Sequence, residues 1–134
     1  MLTTLLDTDT LSLHLKGQPQ VMAQVQAYAQ MYGVLHFSLI THYEILNGLF
    51  NKDARQQMGR YESLLLDSRL LPLTPESIRI AAKISASLRT AGYVIAHTDV
   101  LIAGVALANE MQLATNNTKH FERIEGLRMV NWTQ

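Results

Sequence analysis

Short apolar runs alternate along the chain with longer stretches in which apolar residues recur every three or four positions. The short runs predict buried strands, and the longer stretches predict amphipathic helices. The predicted strands cover residues 2–6, 34–38, 69–73, 112–115 and 127–130. Strands that alternate with helices favour an α/β domain with a mainly parallel central sheet and helices on both faces.

Capping residues and polar segments divide the helical stretches of the first half. Asp9 or Thr10 is the predicted N-cap of a first helix that ends at Gly17. A third helix is followed by the polar residues 51–60, and helix is expected to resume at about Tyr61. The first half of the chain is therefore predicted to be mostly helical.

The second half holds the most distinctive apolar stretch of the chain. Residues 100–108 are apolar and rich in small side chains, which predicts a helix buried on most of its circumference. Asp99 stands at the head of this stretch, where a helix N-terminus favours negative charge. Residues 112–115 then form a predicted strand, and the following Asn116 and Asn117 predict a loop.

Composition limits the possible classes of protein. The 134 residues fit one domain, residues 1–134, with no net charge and no cysteine. Disulfides and thiolate metal sites are thus excluded, and an RNA substrate would have to be attracted by a local patch or a metal ion. The chain lacks a signal-peptide pattern and an apolar run of the roughly 20 residues needed to span a membrane, so a cytoplasmic protein is expected.

Three acidic residues lie at or near the ends of predicted strands and the starts of predicted helices. Asp7 follows the first strand, Glu44 lies in the second turn of a helix, and Asp99 heads the buried helix. Ligands of open α/β sheets bind at the carboxyl ends of strands, and Mg²⁺ and Mn²⁺ prefer oxygen ligands. We therefore expect these acids to meet at one metal site, although each alone is also explained as a helix-end or solvated residue. The five histidines have no zinc-site spacing and are expected to be structural or on the surface.

Four segments, in this order and spacing, resemble the PIN-domain ribonucleases, and among them the VapC-like toxins of bacterial toxin–antitoxin pairs. The resemblance covers essentially the whole chain. The segments are residues 5–9 (LLDTD), 38–48 (SLITHYEILNG), 99–103 (DVLIA) and 115–127 (TNNTKHFERIEGL). Each segment alone is weak, but together they are specific.

The resemblance implies a catalytic site and a metal. The family's acidic positions correspond to Asp7, Glu44 and Asp99, which would hold Mg²⁺ or Mn²⁺, and its fourth acidic position corresponds to Asn117. An amide at this position puts a second metal in doubt but does not remove the site. The implied activity is hydrolysis of RNA phosphodiester bonds.

Neighbouring polar residues are implied to support these ligands. Thr8 and Thr115 are expected to hydrogen-bond to them, and Asp9, where the family commonly has Asn, is ranked below the three acids. The resemblance also implies a toxin that inhibits translation by cutting a structured RNA such as tRNA or rRNA. Its partner would be a cognate VapB-like antitoxin.

The N-terminal helices carry more apolar residues than one small core face requires, which together with the family resemblance suggests a two-fold homodimer with both acidic sites on one side. The residues on which this expectation rests are Leu11, Leu15, Val21, Met22, Met31 and Tyr32.

Two other functions remain open from the sequence. The Asp7-Thr8-Asp9 segment resembles the opening motif of haloacid-dehalogenase-like phosphohydrolases, but Leu11 is unsuitable for that motif. The chain is also short for that fold, and no downstream lysine with an acidic pair is evident. The second alternative is a non-catalytic RNA- or protein-binding PIN module, which only Asn117 favours.

Overall fold

A sheet of five parallel strands runs through the protein in the computed structural model, which describes residues 2–134. Met1, the first residue of the predicted domain, lies outside the described residues. The strand order is β3-β2-β1-β4-β5, and every neighbouring pair is parallel. The predicted α/β class and parallel sheet are confirmed. The strands are β1 (Thr4–Leu6), β2 (Leu35–Ser38), β3 (Ser68–Leu71), β4 (Gln112–Ala114) and β5 (Met129–Val130).

Helices connect these strands and cover both faces of the sheet. They are α1 (Thr8–Leu15), α2 (Pro19–Tyr32), α3 (Leu39–Lys52), α4 (Arg55–Leu65), α5 (Pro75–Thr90), α6 (His97–Ala108) and α7 (Thr118–Phe121). Helix α6 is buried along most of its length, as its small apolar residues predict. In the described part of the chain, no helix is both long enough and apolar enough to cross a membrane.

Successive residues of the central strands point into two separate hydrophobic cores. Leu5 packs with α5, α6 and α7, whereas Leu6 packs with α1 to α4. Leu113 and Ala114 of β4 divide in the same way. This two-residue alternation is the expected consequence of strand geometry, and it produces three layers, α/β/α.

Two predicted helix starts are wrong. The N-cap of α1 is Asp7, and neither Asp9 nor Thr10 fills that role, because the chain passes from β1 into the helix without a linker. Helix α4 begins at Arg55 and not near Tyr61. Its early turns are polar, but Met58 packs against the first core and extends the buried stripe back along the helix.

The proposed exposed apolar patch on the N-terminal helices is also mostly absent. Leu11, Leu15 and Val21 are buried in the core. Only Met22 and Met31 of the named residues are strongly exposed, at 45% and 60%. Helices α1 and α2 pack into the same core as α3 and α4, so they have more apolar surface to cover than the sequence alone suggests.

The strand order creates one crevice at the carboxyl edge of the sheet. From the central strand β1, the chain builds β2 and β3 on one side, and β4 and β5 on the other. The order therefore reverses between β1 and β4, and this is where open α/β sheets bind their ligands.

Candidate metal-binding site

Asp7 lies in this crevice, directly after β1. Its backbone N–H donates to the Ala114 carbonyl at 3.0 Å, which fixes it beside the end of β4. Its carboxylate Oδ1 accepts the Thr10 N–H at 2.8 Å and so caps α1. The side chain is buried, and this burial raises the pKa of the carboxyl, against a lowering by hydrogen bonds that include one from the Thr115 hydroxyl.

The partners of Asp7 are neutral. Among residues 2–134, no lysine or arginine forms an ion pair with Asp7 or Glu44. A buried carboxylate that receives only dipolar stabilisation is a position where a cation is favourable. Oxygen-rich surroundings suit a hard divalent ion, so the donor set fits Mg²⁺ or Mn²⁺.

Glu44 is joined to the Asp7 segment through a hydroxyl group. Ser38, the last residue of β2, caps α3 by accepting the Thr41 N–H at 3.1 Å. This sets the second turn of α3 against the start of α1, where the Thr8 hydroxyl donates to Glu44 Oε1 at 2.6 Å. The Thr8 and Thr41 hydroxyl oxygens are 3.1 Å apart. Thr8, the residue that follows Asp7, therefore connects Glu44 to the start of α1.

A small groove adjoins Glu44. Asp9 is exposed in the first turn of α1 and lines this groove, and it makes no hydrogen bond to the three acids. Lys16 and Lys52 lie along the same groove and are exposed. The groove thus has an acidic end beside the candidate site and two cations farther along.

Thr115 links Asp7 to the loop that follows β4. The residue is completely buried, and its hydroxyl accepts the Asn117 N–H at 3.0 Å while hydrogen-bonding to the Asp7 carboxylate. A hydroxyl has one proton, so its role toward the carboxylate is that of donor. Asn117 is exposed at the N-cap position of α7, and its side chain makes no capping bond.

Asp99 has a partner that sequence reasoning missed. His120 Nε2 lies 2.9 Å from Asp99 Oδ2, and both side chains are about one-third exposed, at 28% and 32%. The sequence interpretation assigned all five histidines to structural or surface roles. The spacing of histidines that is typical of zinc sites says nothing about a histidine that contacts one carboxylate 21 positions away.

The three acids are each held by a polar partner, but they are not grouped around one point. Among the described residues, no group of three His, Asp or Glu side chains lies close enough together to hold a metal. Three carboxylates repel one another, so bringing them to one point requires a cation. The joint coordination of one ion by Asp7, Glu44 and Asp99 stays a prediction.

The fold agrees with comparisons to known proteins. The PIN domain model matches residues 4–127. The chain belongs to the PIN-domain family. Within it, the VapC ribonuclease Y4jK of Sinorhizobium fredii is 32% identical over 133 residues, which cover 94% of each chain. The tRNA(fMet)-specific endonuclease VapC of Shigella flexneri is 26% identical over 134 residues, covering 99% of this chain and 100% of that protein.

A solved structure extends the similarity to three dimensions. One chain of DNA-bound VapBC from Salmonella typhimurium superimposes with a TM-score of 0.88 at 26% identity, covering 98% of this chain and 99% of that one. The protein is thus a PIN-domain member of the VapC ribonucleases, as its sequence motifs suggest. The haloacid-dehalogenase-like alternative is wrong, because the PIN similarity spans nearly the whole chain.

Proposed function

We propose that this VapC-family protein is a divalent-metal-dependent endoribonuclease whose ion is held by Asp7, Glu44 and Asp99. The observation that carries this proposal is the buried carboxylate of Asp7 in the crevice between β1 and β4, which has no basic partner among the described residues. A polar residue that is costly to bury and lies at the ligand-binding edge of the sheet is a strong functional candidate.

Each residue has a specific task in this proposal. When bound, Mg²⁺ or Mn²⁺ supplies a Lewis acid that orients and activates water and offsets charge on the phosphoryl oxygens. Asp7 provides a ligand whose orientation is fixed by the α1 cap and by Thr115. Thr8 holds one oxygen of Glu44 and orients that carboxylate. The exposed Asn117 would offer its amide to a metal-bound water, and its lack of charge supports one tightly held ion rather than two.

The proposed substrate is a structured RNA such as tRNA or rRNA. The name of the Shigella flexneri relative, which aligns with 99% of this chain, specifies a tRNA. Lys16 and Lys52 supply local positive charge in the groove that Glu44 also lines, although the net charge of the chain is zero. Two cations in this groove can bind phosphate groups without creating a broad RNA-binding surface.

The proposed biological role is that of a toxin whose activity a VapB-like antitoxin blocks. The Salmonella typhimurium structure with the matching chain is a VapBC complex, which supports a partner of this type. A small neighbouring reading frame with a DNA-binding N-terminus would support this role.

The test is RNA cleavage by purified protein on total tRNA and on ribosomal RNA. We expect cleavage with Mg²⁺ or Mn²⁺ and none with EDTA. Asp7→Asn and Asp99→Asn should each lose most of the activity while remaining folded. Asp67→Asn is the matched control, since Asp67 is exposed before β3, at the opposite edge of the parallel sheet, and should cleave like the wild type.

Two outcomes would contradict the proposal in different ways. Wild-type activity in both Asp7→Asn and Asp99→Asn, after contaminating nucleases are removed, would show that the site is wrongly assigned. Failure of the wild type to cleave either RNA with either metal would favour the non-catalytic binding module.

A further inference from the structure

We propose that His120 is a positioning residue that holds the Asp99 carboxylate ready for the metal ion. The inference rests on the proposed function, in which Asp99 is a ligand. His120 Nε2 contacts Asp99 Oδ2 at 2.9 Å, whereas Asp99 Oδ1 has no hydrogen bond to any described residue. One carboxylate oxygen is therefore fixed by the imidazole, and the other remains available.

The imidazole ring is itself held in place. His120 packs edge-on against Phe121, with ring centroids 5.2 Å apart and an interplanar angle of 85°. Phe121 is buried, at 2% exposure, in the core formed with α5 and α6. A ring anchored in this way can orient a carboxylate that would otherwise rotate, because Asp99 is on a helix surface and partly exposed.

Residues 115–120 contact a second acid as well as Asp99. Thr115, the first residue of this segment, hydrogen-bonds to Asp7, and His120, the last, contacts Asp99. Between them, the Asn117 N–H bonds back to the Thr115 hydroxyl and fixes the turn into α7. Residues 115–120 thus contact two acids from different parts of the fold, Asp7 directly after β1 and Asp99 in the first turn of α6. Loss of a hydrogen bond that orients a metal ligand commonly weakens metal binding by about 10- to 100-fold.

A purely structural role is the competing explanation, since the contact of His120 with Asp99 also joins α7 to the beginning of α6. A second side-chain contact joins the same two regions. The Arg123 guanidinium carbon lies 3.7 Å above the centre of the Tyr93 ring, which belongs to the loop before α6. Arg123→Ala removes this contact without changing the surroundings of Asp99. It is therefore a matched control for the loss of a contact between α7 and the start of α6.

Amide substitutions separate hydrogen bonding from ring packing. A glutamine Nε2 is as many bonds from the backbone as the imidazole Nε2, whereas the asparagine amide reaches only the position of Nδ1. His120→Gln should therefore keep the bond to Asp99, and His120→Asn should lose it.

The experiment is calorimetric titration of Mn²⁺ into the 134-residue protein without RNA, together with the thermal midpoint of each metal-free variant. We expect about 10- to 100-fold weaker Mn²⁺ binding for His120→Ala and His120→Asn. His120→Gln should recover at least half of the loss on a logarithmic scale, and Arg123→Ala should bind Mn²⁺ like the wild type even if its midpoint falls.

Three results would overturn the positioning role. These are unchanged or tighter binding by His120→Ala, binding by His120→Gln as weak as that of His120→Ala, and equal weakening by Arg123→Ala. Failure of the proposed function is distinguishable, because the wild type would then bind no Mn²⁺, or Asp99→Asn would bind it normally. If only the role of His120 is wrong, Asp99→Asn still weakens Mn²⁺ binding.

Discussion

Gly104 provides a quantitative test of how closely α6, the helix that carries Asp99, packs against α5. A Cβ atom at this position would lie 2.5 Å from the Ser77 carbonyl oxygen and 3.1 Å from the Ala81 Cβ. The Ser77 oxygen belongs to the backbone of the first turn of α5, so it cannot move without a shift of that helix. Gly104→Ala should therefore force the two helices apart.

The expected magnitude is a difference between two opposing effects. Alanine in a helix interior is favoured over glycine by about 1 kcal/mol. Overpacking costs about 1–3 kcal/mol, and contact with a backbone atom puts this site at the upper end of that range. We expect a net loss of about 2 kcal/mol, which lowers the thermal midpoint of a chain of this length by about 6–10 °C.

Gly59→Ala is the matched control. Gly59 is exposed within α4, and a Cβ there meets no atom within 4 Å. The same substitution should thus raise the midpoint by about 3–5 °C through helix propensity alone.

The assay is thermal unfolding followed by far-ultraviolet circular dichroism, with Mn²⁺ titration of both variants. Gly104→Ala should also bind Mn²⁺ more weakly than Gly59→Ala, because movement of α6 displaces Asp99 from His120. A midpoint for Gly104→Ala equal to or above that of Gly59→Ala would refute the tight approach of the helices.

Further predictions concern charge and assembly. Burial raises the pKa of the Asp7 carboxyl above its ordinary value of 3.8. The protonated carboxyl therefore favours the folded state, and this stabilisation is lost as the pH rises through the raised pKa. Asp7→Asn does not titrate, so its midpoint without metal should exceed that of the wild type at pH 7.5, and the difference should shrink toward pH 4.5; no change with pH would contradict this. Asn117→Asp should tighten Mn²⁺ binding by adding a fourth carboxylate, and two equally tight ions in the wild type, measured calorimetrically without RNA, would show that Asn117 does not limit the site. The homodimer now rests on the family resemblance and on the exposed Met22 and Met31; light scattering at tens of micromolar should give a dimer mass, and a monomer mass would contradict it.

The sequence predicts a helix or strand well where a periodic pattern of apolar residues is bounded by polar or helix-capping residues. The central strands and α6 are examples, because their apolar runs are bounded by polar residues or by residues that cap helices. The cap of α1 was misplaced because it depends on where β1 ends: Asp7 can cap the helix only since no linker follows the strand. The burial of Leu11 and Leu15 was likewise missed, because it depends on α3 and α4 packing beside α1.

The candidate site divides in the same way. The acids could be proposed from their positions at strand ends and helix starts and from the family motifs. Contacts between distant segments could not, since nothing local in the sequence indicates that Thr8 reaches Glu44 or that His120 reaches Asp99. These contacts are set by the packing of α1 on α3 and of α7 near the start of α6.

The pairing of β1 with β4 has a consequence for the order of folding. Leu6 pairs with Ala114, so the two walls of the crevice that holds Asp7 come from segments 108 positions apart in the chain. Contacts of such large sequence separation form late in folding, because the intervening chain must be closed into a loop. A chain that ends before residue 115 has Asp7 but lacks Thr115 and His120. It therefore cannot form the contacts that hold Asp7 and Asp99 in place, however well its first half folds.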